Sequence, residues 1–173
     1  MKTIGAEANT ADELPGEDAR FLRLTFAVAR RSLASGSHPF AAILVDADGA
    51  VLMEQENGYL PERDMTAHAE RVLMSRASRA YDPPFLSRCT IYSSAEPCAM
   101  CAGAVYWAGV GRVVYALSES RLRLLTGDHP ENPTLDLPCR EVFATGQRKV
   151  EVLGPALEDE AEQIHRDVWS RSR

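Results

Sequence analysis

Four cysteines in a chain of 173 residues are too few for a disulfide scaffold. No apolar run approaches the roughly 18 to 20 residues that a membrane-spanning helix needs. The N-terminus lacks the basic-then-apolar pattern of a secretory signal, so the chain reads as soluble and cytoplasmic. Arg and Lys form no run able to track a phosphate backbone, and the formal net charge is −6. A small molecule is therefore expected as partner ahead of a nucleic-acid polymer or a membrane. Internal repeats and low-complexity tracts are absent as well.

What is present is the composition of one compact domain, 45% hydrophobic and 25% charged. Residues 1–16 mix small, acidic and turn-forming types without a period and read as a loose leader, leaving residues 17–173 as the domain. From Asp18 to about Leu33 apolar residues recur at helical spacing, predicting an amphipathic helix. Pro39 to Val45 and Val51 to Met53 flank the turn signal Asp46-Ala47-Asp48-Gly49 and predict a hairpin. His68 to Ala80 predicts a helix that Asp64 or Thr66 caps and Asp82-Pro83-Pro84 stops. Cys89 to Ser93, Cys98 to Ala108 and Arg112 to Ala116 alternate strand, helix and strand, the pattern of a parallel pair with a right-handed crossover. A short helix at Leu122 to Leu125, an irregular Pro-rich loop from Gly127 to Pro138, a strand at Lys149 to Leu153 and a helix from Ala156 to Trp169 complete the reading.

The chemistry concentrates in His68-Ala69-Glu70 and Pro97-Cys98-Ala99-Met100-Cys101. One imidazole and two thiols have the softness that zinc prefers, and three protein ligands leave its fourth position open. An H-x-E followed by P-C-x-x-C is the pattern of zinc deaminases, in which the Glu moves protons and is not a ligand. Cys98 and Cys101 lie three apart and share one helix face. Placing Cys98 at a helix start favours its thiolate, because the helix N-terminus carries partial positive charge. Glu70, two residues from His68, has to reach across from the first turn.

Each half of the pattern also has a plainer reading. A lone C-x-x-C serves equally as a redox pair, or as half of a closed structural zinc site that Cys89 or Cys139 completes. His-Ala-Glu alone arises by chance. His38, before Pro39, reads as a loop residue, and His165 in the last helix as facing water. Cys89 and Cys139 are most simply small buried groups. It is the combination and order of the two motifs that carries the signal.

Pro39-Phe40, Asn57, Thr66-Ala67-His68-Ala69-Glu70 and Ser94-Ala95-Glu96-Pro97-Cys98-Ala99-Met100-Cys101 together resemble the cytidine deaminase-like superfamily, over roughly residues 18 to 116. Within that superfamily the chain looks like the branch holding bacterial guanine deaminases and tRNA adenosine deaminases. The resemblance implies a three-layer α/β/α fold with a five-stranded mixed sheet, Zn2+ on His68, Cys98 and Cys101, and Glu70 as proton shuttle. It further implies that Asn57 hydrogen-bonds the base, that the backbone at Ala69 helps fix it, and that Phe40 packs beside the ring. Ordinary strand core is the competing role for Phe40.

Tyr106-Trp107-Ala108 resembles the guanine deaminase pattern, which makes a purine base such as guanine the leading substrate and Trp107 a candidate contact. Asp128 lies near the place where guanine deaminases carry an acid that assists the substrate amine, with His129 as competitor and a solvated loop Asp as the plainer reading. Ala41 stands where the superfamily usually has Gly, and the tail Asp167-Val168-Trp169-Ser170-Arg171 departs from that of guanine deaminases. The alternatives are adenosine deamination in tRNA, which requires a basic groove, and a non-catalytic zinc-braced interaction domain with a fourth protein ligand. Relatives of this kind are commonly dimers, so a homodimer is expected.

Overall fold

The computed structural model describes residues 14–127, 129–166 and 168–169. Of the proposed leader, residues 1–13 lie outside the described residues. Helix α1 (Gly16–Ala34) opens the fold and is followed by β1 (Ala41–Val45), β2 (Val51–Glu56), α2 (Ala69–Ala80), α3 (Pro83–Leu86), β3 (Thr90–Ala95) and α4 (Ala99–Ala108). β4 (Arg112–Leu117), α5 (Glu119–Thr126), α6 (Cys139–Ala144), β5 (Glu151–Leu153) and α7 (Glu158–His165) complete it.

The five strands form one mixed sheet in the order β2-β1-β3-β4-β5. β1 pairs antiparallel with β2 and β3, whereas β3, β4 and β5 run parallel. Successive strand side chains point to opposite faces, and the core divides accordingly. Ala42, Leu44, Ile91, Val113 and Tyr115 face a layer with α2 and α4. Ile43, Val45, Tyr92, Val114 and Ala116 face the layer with α1 and α7. This is the expected α/β/α sandwich, and covering on both faces explains why β1 and β4 read as nearly continuous apolar runs.

The hairpin and the parallel strand-helix-strand unit stand where the sequence predicts them. α4 ends at Gly109, whose positive φ of 94° supplies the left-handed turn that a helix C-terminus favours. Across the α1 side, a buried Asp18 accepts from Arg112 Nη1 and Nη2, both at 2.8 Å, and from Tyr92 Oη at 2.6 Å. Burial raises the Asp18 pKa, but the Arg112 and Tyr92 hydrogen bonds and the Arg112 charge outweigh it and leave the carboxyl below its ordinary value.

Four expectations are corrected. α2 begins at Ala69, so His68 occupies the N-cap, ahead of the first turn. Asp64 caps a tight turn instead of the helix: its Oδ1 accepts from Thr66 N and Oγ1 at 2.8 and 2.7 Å. The last helix stops at His165, and Trp169 folds back beyond it, its Nε1 donating to His165 Nδ1 at 3.3 Å. His165 does not face water; it is 2% exposed, on the same helix face as Ala161 and Ile164. The short α3 and α6 are additional elements, α3 starting where Asp82 Oδ1 accepts from Phe85 N.

Candidate active site

Both metal-binding motifs sit at helix starts beside the C-terminal end of β3. In open α/β sheets such ends, where strand direction changes, form natural ligand crevices. β3 runs through Ala95 into Glu96-Pro97 and places Cys98 at the N-cap of α4, while His68 takes the N-cap of α2. Neither residue caps its helix with a side-chain hydrogen bond. Ser, Thr, Asp or Asn would stabilise those positions by about 1 kcal/mol, so the two helix starts forgo capping and present ligand atoms.

His68 Nδ1 lies 3.6 Å from Cys98 Sγ and 3.6 Å from Cys101 Sγ. The three ligand atoms fall within 4.8 Å of one another, and among the described residues no other such group of His, Cys, Asp and Glu forms. Cys89 and Cys139 are buried elsewhere: Cys89 Sγ meets Phe85 O at 3.5 Å, and the Cys139 backbone N–H is tied to Glu96. Neither cysteine completes a closed shell. The donor set of one imidazole and two sulfurs fits Zn2+ with a position to spare.

The charges agree with a cation site. The Cys101 thiol beside Cys98, together with His68, brings the Cys98 thiol down to about 4 against the cost of burial. The neighbouring Cys101 is pushed up, first by that same hydrogen bond and then by burial. One thiolate is thus stabilised before the second thiol loses its proton.

Glu70, 6% exposed in the first turn of α2, is held from the sheet, where Ser93 Oγ donates to its Oε1 at 3.0 Å. Its Oε2 faces the Cys101 thiol at 3.7 Å. Burial raises its pKa, partly offset by His68. A buried carboxyl held in one orientation beside His68, Cys98 and Cys101 is placed to exchange a proton with a group in the cavity.

A cavity of about 200 Å3 opens on this cluster, with His68, Glu70, Cys98, Glu96, Glu119 and Phe40 among its walls. Leu122 and the loop residues Asn132, Pro133 and Leu135 close the other side. Phe40 therefore reaches the cavity. Asn57 is not among the cavity walls but adjoins Phe40: its N–H donates to Phe40 O at 3.0 Å, and Gly58 N–H donates to Ala67 O at 2.8 Å, tying the hairpin end to the His68 segment. Asn57 Oδ1 accepts from Ser37 Oγ and Tyr59 N, while its amide nitrogen donates to none of the described residues. Ala69 is fully buried, and its N–H belongs to the first turn of α2, where helical amides lack an intrahelical partner.

Trp107 is not brought to the cavity. It stands 86% exposed on α4, whose buried face carries Cys101, Ala102, Val105 and Ala108. There it borders a separate shallow depression with Arg71 and Met74. Asp128 lies outside the described residues. His129 packs edge-on against Trp169 and lines a second cavity with His38, which stacks on Tyr59 and bonds Glu131 at 3.0 Å.

Two carboxylates carry roles that the motif did not announce. Glu96 is buried and accepts from Cys139 N at 3.0 Å and Glu119 N at 3.2 Å, fastening the starts of α6 and α5 to the Cys98 turn. Burial first, then the negative charges of Cys98, Glu96 and Glu70, push the Glu119 carboxyl up to about 7.

With the geometry established, the molecule can be set beside known proteins. A family model described as the cytidine and deoxycytidylate deaminase zinc-binding region matches residues 15–117. The chain belongs to this deaminase family. A probable cytosine deaminase of Schizosaccharomyces pombe is 35% identical over 164 residues, 95% of this chain and 99% of that protein. The guanine deaminase of Bacillus subtilis is 38% identical over 97 residues, 56% of this chain and 62% of that protein. A solved guanine deaminase structure from Nitrosomonas europaea superposes with a TM-score of 0.74 at 28% identity, covering 91% of this chain and 87% of that one. The class of activity is accordingly that of a hydrolytic deaminase. Among the described residues no helix is long and apolar enough to cross a membrane.

Proposed function

We propose that the protein hydrolyses the amino group of a free nucleobase, with His68, Cys98 and Cys101 holding Zn2+ and Glu70 moving the protons. The observation that carries this is the cavity of about 200 Å3 bordered by both His68 and Glu70. Pockets for drug-sized ligands run from about 300 to 1,000 Å3, so this one suits a bare heterocycle. When bound, zinc supplies the Lewis acidity that brings water close to ionisation at neutral pH.

Glu70 takes a proton from water as its oxygen adds to the amino-bearing carbon, then delivers protons to the ring nitrogen and the leaving amine. The balance is base plus water giving the oxo base plus ammonia. Ser93 keeps one Glu70 oxygen fixed during the transfer, and Phe40 and Asn57, at the end of the hairpin, hold the ring and a polar edge of the base. The backbone N–H of Ala69 adds a donor in the first turn of α2.

Guanine and cytosine both carry the required amidine-like carbon. The sequence motifs around Trp107 favour guanine, but Trp107 lies away from the cavity. Similarity to a cytosine deaminase extends over 95% of the chain and supports cytosine as the first substrate to test. The zinc-loaded protein is expected to release ammonia from cytosine, guanine or both, and not from tRNA. Turnover of tRNA alone would refute the free-base reading.

A further inference from the structure

We propose that Glu119, together with Asn132, reads the ring N–H of a bare base and thereby makes this enzyme select free bases over nucleosides. The inference rests on the deaminase reading and concerns the cavity wall that Glu119 and Asn132 share with His68, Cys98 and Glu70. Of the carboxylates bordering the cavity, Glu70 is engaged by Ser93 and faces Cys101. Glu96 has each oxygen occupied by a backbone N–H. Glu119 differs. It is half-buried in the same cavity, yet its carboxyl accepts no hydrogen bond and makes no ion pair with any described residue. The side-chain amide of Asn132, contributed to the same cavity by the 127–138 loop, is also without a partner among the described residues.

A partly buried carboxyl that no protein group engages keeps its full acceptor capacity for a donor on a bound ligand. The remaining wall is apolar, with Phe40, Leu122, Pro133 and Leu135 suited to the faces of a planar ring. A carboxyl is an acceptor for N–H. In free cytosine or guanine the nitrogen that would bear a sugar carries such a hydrogen, and in the nucleoside the glycosidic bond replaces it. The nucleoside would therefore lose the hydrogen bond to Glu119. Sites built to bond a substrate N–H reject analogues lacking it by factors on the order of 10^4.

The test is steady-state ammonia release by the zinc-loaded full chain from cytosine, cytidine, guanine and guanosine, for wild type, Glu119→Leu, Asn132→Leu and Glu70→Gln. Thermal melts and zinc content confirm that each variant is folded and loaded. Wild type is expected to prefer the base over its nucleoside by at least about 100-fold in kcat/KM. Glu119→Leu should raise KM for the base by about tenfold or more with a much smaller change in kcat, the signature of lost binding, and shrink that preference. Asn132→Leu should raise KM in the same direction. If wild type handles nucleosides as well as bases, the inference is overturned. If Glu119→Leu leaves KM and the preference unchanged while Glu70→Gln is inactive, the inference fails and the deaminase reading survives. If wild type releases ammonia from none of the four, the deaminase reading fails and takes the inference with it.

Discussion

Ser93 Oγ donates a 3.0 Å hydrogen bond to Glu70 Oε1, joining the middle of the sheet to the first turn of α2. Both residues are buried, so the bond fixes the carboxyl in one orientation beside Cys101 and the cavity. A hydrogen bond to a charged group contributes about 1.5–3 kcal/mol. Ser93→Ala should therefore lower kcat by about 10- to 100-fold, with zinc content unchanged, as steady-state kinetics beside metal analysis will show. Equal kcat in the variant would mean that Glu70 is oriented by something else.

Removing one ligand should separate metal binding from folding. The main core on each face of the sheet is built from residues outside the His68, Cys98 and Cys101 cluster, apart from their immediate neighbours. Cys101→Ala is expected to keep its far-ultraviolet circular dichroism and lose zinc and activity. Ligand bound at 100 times its Kd stabilises by about 2.7 kcal/mol. At about 2–4 °C per kcal/mol for a chain of this size, the melting temperature of the stripped wild type should fall by about 5–10 °C, measured by calorimetry with and without chelator.

The Asp18, Arg112 and Tyr92 network is a structural counterpart on the other side of the sheet. Breaking a buried pair from one side costs about 3–5 kcal/mol, and Asp18→Asn should show that loss in urea unfolding at neutral pH. The folded Asp18 pKa lies below its ordinary 3.8. Its contribution is thus fully present above the unfolded value and is lost as pH falls through the folded one, a dependence that the Asn variant should lack.

His165 gives a second acid window at higher pH. Burial drives its pKa down to about 4 from 6.5. The unfolded chain binds the proton first, so stability is complete above about 6.5 and declines as pH falls toward 4, by up to about 3 kcal/mol. His165→Phe should flatten the unfolding free energy across that interval, while Asp18→Asn should not.

The convergence of His68, Cys98 and Cys101 was legible because these are rare residue types set within two short segments, each at a helix start. The hairpin was legible from Asp46 to Gly49, and the parallel unit from the alternation of strand and helix between Cys89 and Ala116. Other features had a readable signal that the wider pattern obscured. Ala161, Ile164 and His165 share the i, i+3, i+4 spacing of a buried helix face, which argues against a solvated His165. Trp107 is six residues past Cys101, about 120° away around a regular helix, and so points outward. α3 was hidden because Asp82-Pro83-Pro84 both stops one helix and starts the next. Glu96 and Glu119 could not be found from local pattern: their roles arise where α5 and α6 meet the Cys98 turn, contacts made across 23 and 43 residues of chain.

The most direct test of the account is ammonia release from cytosine and guanine by wild type and Glu70→Gln at matched zinc content. The account predicts release from at least one base by wild type, with a loss of at least about 100-fold in the variant. Ammonia from neither base, or equal rates in both proteins, would contradict it.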